Sequence, residues 1–424
     1  MSISPGLGLR RQTEVYLAGV RGRRTVVPFA FDKLERAAKR RMPREAYAYI
    51  AGGAGLEGTI DANRAAFDRR RIVPRVLRDV SQRDLTVSLF GRRLPTPFLL
   101  APIGVLELAH RDADVAVAKA AAAEGVPMIF SNQASRPMEE CAAAMGDAPR
   151  WFQLYWSTSN ELVASLVSRA EACGCDAIVV TLDTTMLGWR CRDLDLAYLP
   201  FAVGKGIAQY TSDPVFRSLL QPAKVERSGP PTVKAVRSLL EVSSSYPGGL
   251  FGNMRSGLAV AAVREFLAIY SRPSLTWDDL PWLREQTKLP ILLKGVLHED
   301  DARRAVEAGV DGLVVSTHGG RQVDGSIGSL DALPRVAAAV NGRIPVLLDS
   351  GVRGGADAFK ALALGAAAVL LGRPYVYGLA LAGEEGVREV LKNMAADLDL
   401  TMGLAGCRSV AEIGPEALAA ERPL

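Results

Sequence analysis

Between Pro97 and Gly372, short apolar runs alternate with stretches of helical period. The apolar runs fall at 97–103, 126–131, 151–155, 177–183, 290–294, 312–317, 344–349 and 367–372. Helical patterns lie between them at 114–124, 138–145, 162–172, 300–308, 330–340 and 356–364, and a long helical tail closes the chain. Unbroken apolar runs read as strands covered on both faces, the habit of parallel sheets. Helical crossovers between parallel strands are right-handed, and eight βα units predict an α/β fold closed as a (β/α)8 TIM barrel. An open doubly wound sheet is the rival, but no run is followed by a GxGxxG turn that opens a helix.

A single domain is expected across 1–424. Residues 1–30, rich in Gly and Arg without a clear period, read as a loose N-terminal arm. A helical pattern then runs from Asp32 through Leu34, Ala37 and Ala38 to Tyr47 and Ile50, stopping at Ala51-Gly-Gly-Ala-Gly55. A long insertion, 188–273, follows the fourth strand and carries Ser228-Gly-Pro-Pro-Thr232 and Ser243-Ser-Ser-Tyr-Pro-Gly-Gly249. On a barrel it emerges at the catalytic face, where long loops act as lids. An insertion of no consequence is the competing reading.

Composition narrows the class. Hydrophobic residues make up 49% and charged residues 23%, which fits a globular enzyme and not a disordered chain. A net charge of +5 is small for 424 residues, and the basic clusters at 21–24, 39–41 and 69–71 lack the aromatic interleaving of a nucleic-acid surface. Five cysteines without metal spacing and only three histidines argue against a metal site. No stretch reads as a signal peptide or membrane span, so a reducing cytoplasm is the expected compartment.

The C-terminal ends of the runs carry the chemistry: Gln153 and Tyr155, Thr181 and Asp183, Lys294, Ser316 and His318, Asp349, Gly372 and Arg373. A buried strand tip carries such groups where they face a polar ligand. Asp349-Ser-Gly-Val-Arg353 and Gly372-Arg373-Pro374 follow the seventh and eighth runs. Barrels hold phosphate at those two loops, with backbone N–H groups, a helix N-terminus and arginines. His318 moves a proton near neutral pH, and Arg321 can clamp a carboxylate with two hydrogen bonds. Arg190 offers a second guanidinium, Asp183 a partner that orients His318 and raises its basicity, and Lys294 a fixed charge for an electron-accepting ring. Taken singly, each has a plainer reading: a glycine-rich loop with a surface histidine, a surface ion pair, a helix cap.

Taken together, Ser-Thr-His-Gly-Gly-Arg-Gln-Val-Asp (316–324), Phe-Gln-Leu-Tyr (152–155), Lys294-Gly295, 349–353 and 372–374 resemble the FMN-dependent α-hydroxy acid oxidases and dehydrogenases. The similarity runs in unbroken order from about Tyr47 to Arg408. Tyr49-Ile-Ala-Gly-Gly53, Ala101-Pro-Ile-Gly-Val105, Gly188-Trp-Arg190, 211–216 and Leu250-Phe-Gly252 are similar to the lactate 2-monooxygenase subgroup. The resemblance implies FMN as cofactor and a small 2-hydroxy carboxylate as substrate. It makes His318 the base, oriented by Asp183, with Arg190 and Arg321 on the carboxylate and Tyr49 and Tyr155 hydrogen-bonding the substrate. Lys294 stabilises the reduced flavin, whose contacts are Pro102, Ile103, Gly104, Ser131, Gln153, Thr181 and Ser316. Asp349, Gly351, Arg353, Gly372 and Arg373 surround the ribityl phosphate chain. A homo-oligomer, a tetramer or larger, is also implied. Three positions depart from the pattern: Thr317 replaces the usual asparagine, Thr185 a frequent proline, and Gln133 a large apolar residue beside the substrate. A polar wall at Gln133 favours a substrate other than plain lactate.

The expected reaction is oxidation of an (S)-2-hydroxy acid to the 2-oxo acid with O2 as acceptor. It continues to oxidative decarboxylation if the insertion retains the oxo acid. The alternatives are a dehydrogenase with another acceptor, a catalytically silent flavin-binding barrel, and an aldolase using Lys294 as a Schiff base.

Overall fold

A computed structural model describes residues 6–221 and 232–420. Strands β1 (Val87–Leu89) and β2 (Arg92–Leu94) form an antiparallel hairpin that the apolar pattern does not reveal. The eight barrel strands follow: β3 (Phe98–Leu100), β4 (Met128–Phe130), β5 (Arg150–Leu154), β6 (Ile178–Thr181), β7 (Ile291–Lys294), β8 (Gly312–Val315), β9 (Val346–Leu348) and β10 (Ala368–Leu371). They pair in parallel in chain order, and β10 returns to β3 with Leu371 opposite Leu100, closing the barrel. Every residue of these strands is buried, which is why the runs lack polar alternation. Most strands are shorter than the apolar runs, because the last residues of each run peel away toward the site.

Leu99, Ile129, Trp151, Val179, Leu292 and Leu347 fill the barrel interior, joined by Leu89 and Leu94 of the hairpin. Phe90 sits edge-on to Trp151 with ring centroids 5.5 Å apart, and its ring tip lies against Gly312 at the start of β8. The hairpin therefore plugs the N-terminal mouth and leaves the C-terminal mouth for chemistry.

Three expectations need correction. Residues 7–20 are a helix, α1 (Leu7–Val20), and not a loose arm. Arg11 of α1 is buried against the closing helix Arg373–Ala405, where it pairs with Glu389 and donates to Asn393 Oδ1 at 2.9 Å. Docking of this kind is a tertiary effect with little trace in local periodicity. The helix expected from Asp32 to Ile50 is two helices, α2 (Phe31–Arg41) and α3 (Arg44–Ala51). Pro43 bars helical backbone at Met42, whose ψ is 148°. A fourth helix, α4 (Gly58–Arg69), follows. The insertion is largely helical, its longest helices being Val233–Ser245, Leu250–Ser256 and Leu258–Ile269. Ser243–Ser245 thus end a helix, while Ser228–Pro231 lie outside the described residues.

Candidate active site

After β8 the chain turns sharply: His318, Gly319 and Gly320 all have positive φ (55°, 66° and 77°). At 320 only glycine fits, because a Cβ there would lie 2.9 Å from the backbone nitrogen of Ile60 in α4. That glycine seats the loop against α4. Thr317 Oγ1 accepts from Gly320 N at 3.2 Å and from Asn63 Nδ2 at 2.8 Å, so threonine performs the capping at this departed position. His318 itself holds a left-handed backbone that non-glycine residues adopt only where surroundings impose it.

The turn aims the His318 ring at Asp183, just beyond β6. Nδ1 lies 2.7 Å from Asp183 Oδ1 and 3.2 Å from Thr184 Oγ1, while Nε2 faces the Tyr155 hydroxyl at 3.5 Å. With the Nδ1 proton donated to the carboxylate, Nε2 keeps its lone pair. Burial, aided by Lys294, holds the His318 pKa below its ordinary value despite the upward pull of Asp183. The expected gain in basicity is therefore outweighed. Burial also opposes ionisation of Asp183, but His318 and Lys294 bring its pKa down to about 2. Burial and Asp183 push Tyr155 up to about 12, which keeps the phenol a neutral donor. Lys294 Nζ donates to Ser316 Oγ at 2.9 Å and lies 3.2 Å from Asp349 Oδ2 and 3.9 Å from Asp183 Oδ2.

A cavity partly open to solvent lies over these strand ends. It gathers Tyr49, Pro102, Ile103, Gly104, Gln133, Tyr155, Arg190, Lys294, His318, Arg321, Asp349, Gly351, Arg353, Gly372 and Arg373. Asp183, Ser131, Gln153, Thr181 and Ser316 lie behind that lining. Gln153 ties β4 to β6 from there: its Nε2 donates to Thr181 Oγ1 at 3.0 Å, and its Oε1 accepts from Ser131 Oγ at 3.1 Å. Phe31, Asn63, Arg64, Phe201 and Tyr270 also line the cavity, and strand-end reasoning misses them. They come from α2, α4 and the insertion, where the only sequence signal is a helical period.

Arg190, Arg321, Arg353 and Arg373 share this cavity, and among the described residues none has a carboxylate within 4.0 Å. Arg373 donates to the carbonyls of Ile50, Gly52 and Gly319 at 3.2, 3.0 and 2.9 Å. Arg321 donates to Gly52 O at 2.7 Å, and Arg190 Nε to Arg321 O at 3.3 Å. Ile50 and Gly52 lie at the C-terminal end of α3, where free carbonyls favour cations. Arg190 and Arg321 also flank Tyr49, their guanidinium carbons 5.8 and 4.9 Å from its ring centroid. Burial and then Arg190 bring the Arg321 pKa down to about 9, and burial and then Arg64 lower that of Arg353. Guanidiniums gathered in this way, with carbonyls but no carboxylates beside them, favour an anionic ligand.

The chain matches the family model described as FMN-dependent dehydrogenase over residues 38–420. It is 43% identical over 383 residues to L-lactate oxidase of Lysinibacillus sphaericus (strain C3-41), covering 90% of both chains. It is 39% identical to 4-hydroxymandelate oxidase of Amycolatopsis orientalis, over 89% of this chain and 94% of that protein. A crystal structure of mandelate oxidase with (S)-4-hydroxymandelic acid matches at a TM-score of 0.76 and 37% identity, covering 92% of this chain and 98% of that one. The chain belongs to the FMN-dependent dehydrogenase family. Its cavity fits that cofactor: Arg353 and Arg373 offer phosphate two guanidiniums free of carboxylates among the described residues, and buried Lys294 offers the ring a cation. Among the described residues no helix is long and apolar enough to cross a membrane.

Proposed function

We propose that this protein oxidises a small (S)-2-hydroxy acid to the 2-oxo acid with FMN, passing the electrons to O2 and releasing H2O2. FMN supplies the two-electron acceptor. The observation that carries the reading is an Asp183-oriented imidazole sharing one cavity with Arg190 and Arg321, two guanidiniums without carboxylate partners among the described residues. Arg190 and Arg321 hold the substrate carboxylate, and Tyr155 donates a hydrogen bond to the C2 oxygen. His318 Nε2 takes the proton the substrate loses, and Asp183 stabilises the imidazolium.

A second reading has one specific support. Leu187, Arg190, Phe201 and Tyr270 of the loop and insertion form one wall of the cavity. Retention of the oxo acid behind that wall leads to oxidative decarboxylation, the outcome of the lactate 2-monooxygenase subgroup. Oxygen uptake with L-lactate and (S)-mandelate, with 2-oxo acid, H2O2 and CO2 measured together, tests both. Equimolar 2-oxo acid and H2O2 supports the first, and CO2 in their place the second. Reduction of the flavin without oxygen uptake overturns O2 as acceptor.

A further inference from the structure

We propose that Gln133 selects 2-hydroxy acids whose side chain bears a hydrogen-bonding oxygen, such as a hydroxyl or carbonyl, over plain alkyl or phenyl analogues. The inference rests on the function proposed above and names its substrate class.

Gln133 lines the cavity and is only 8% exposed. Its backbone is fixed from several sides. Gln133 N lies 3.1 Å from Ser131 Oγ, and Gln133 O accepts from Val105 N at 2.9 Å. The next carbonyl, of Ala134, accepts from Ala208 N of the insertion at 3.1 Å. A Cβ on Gly206 would stand 3.1 Å from Gln133 O and from the Phe201 ring, so the insertion presses directly on this loop. The backbone therefore cannot swing aside to let the side chain find another partner.

The side-chain amide has no hydrogen-bond partner among the described residues, and neither of its polar atoms is fully buried. By contrast, the amide of Gln153 behind the wall is bonded at both ends. An alkyl or phenyl group that displaces water from this amide leaves it unpaired, whereas a ligand oxygen gives it a partner. The guanidiniums and His318 are engaged by the carboxylate and the C2 hydroxyl, while Leu187 and Phe201 offer no polar atom. Gln133, with the hydroxyl of Tyr270, is thus left for the rest of the substrate, and of the two only the amide has both a strong donor and a strong acceptor. An amide both donates and accepts and carries no charge, which matches a hydroxyl or carbonyl. Sites built around such a bond discriminate strongly against an analogue that lacks it, because the site's own polar group is stranded.

Two matched pairs test this with FMN-loaded protein: L-glycerate against L-lactate, and (S)-4-hydroxymandelate against (S)-mandelate. In at least one pair the oxygen-bearing acid should have kcat/KM higher by about tenfold or more, and Gln133→Leu should invert that preference. Calorimetric binding of hydroxypyruvate and pyruvate to the unaltered protein gives a readout independent of turnover and of the variant's folding, with tighter binding of hydroxypyruvate expected. The same preference in Gln133→Leu as in the unaltered protein, or equal binding of the two oxo acids, overturns this inference alone. Failure of every acid to reduce the bound flavin overturns the proposed function as well.

Discussion

His318 Nδ1 and Asp183 Oδ1 lie 2.7 Å apart although 135 residues separate them in the chain. The contact joins the ends of β8 and β6, so the barrel and not local sequence orients the base. Replacing His318 with asparagine, which tolerates the left-handed backbone there, should slow flavin reduction by about 10²–10⁴-fold. FMN should stay bound, because Arg353 and Arg373 are untouched. Asp183→Asn should slow it less, since the imidazole remains. Rapid mixing under anaerobic conditions measures both.

The pH profile should follow the environment of His318. Burial and Lys294 lower its pKa, so the neutral base survives to pH values below the ordinary imidazole pKa of about 6.5. The acid limb of kcat/KM should therefore lie below that value. Lys294→Met removes one of the lowering influences and should move the limb upward. A limb that moves down in this variant contradicts the assignment.

Arg321 should matter chiefly for binding and only modestly for folding. Losing a charge-assisted bond to the substrate carboxylate costs about 1.5–3 kcal/mol, so Arg321→Met should raise KM by about ten- to a hundredfold. Thermal stability without added acid should fall by no more than about 1–3 kcal/mol, because the lost bond to Gly52 O is partly covered by Arg373 and no ion pair is broken among the described residues. Calorimetry and steady-state kinetics on the same variant separate the two effects.

Arg11 should behave in the opposite way. It pairs with Glu389 in a buried setting, the two side chains being 8% and 12% exposed. Arg11→Met leaves that carboxylate only Lys392, 3.6 Å away, and should cost somewhat less than the roughly 3–5 kcal/mol of a fully stranded buried charge, seen as a lower midpoint in thermal or urea unfolding. Flavin binding below the transition should be unchanged.

Much of the barrel is legible in the sequence because its strands are buried on both faces, so that each reads as an apolar run punctuated by a polar tip. For the same reason Lys294, Asp183, His318, Asp349 and Arg373 can be placed at one mouth without coordinates. What periodicity does not carry is docking. Nothing local distinguishes Arg11 as a buried residue, and Asn63 and Arg64 reach the cavity only because α4 packs beneath the His318 turn. Gly320 shows the same limit: its positive φ is predictable, but the Ile60 backbone that excludes any side chain there is not. The direction of the His318 shift also eludes sequence, since it depends on burial outweighing Asp183.

The central claim is that a 2-hydroxy acid held by Arg190 and Arg321 delivers its electrons to FMN at the mouth of this barrel. Anaerobic mixing of the FMN-loaded protein with a panel of small 2-hydroxy acids, followed by flavin absorbance, tests it most directly. At least one (S)-acid should bleach the flavin, its (R)-enantiomer should not, and the His318→Asn variant should bleach about 10²–10⁴-fold more slowly. A protein that takes up no FMN, or bound FMN that no acid in the panel reduces, contradicts it.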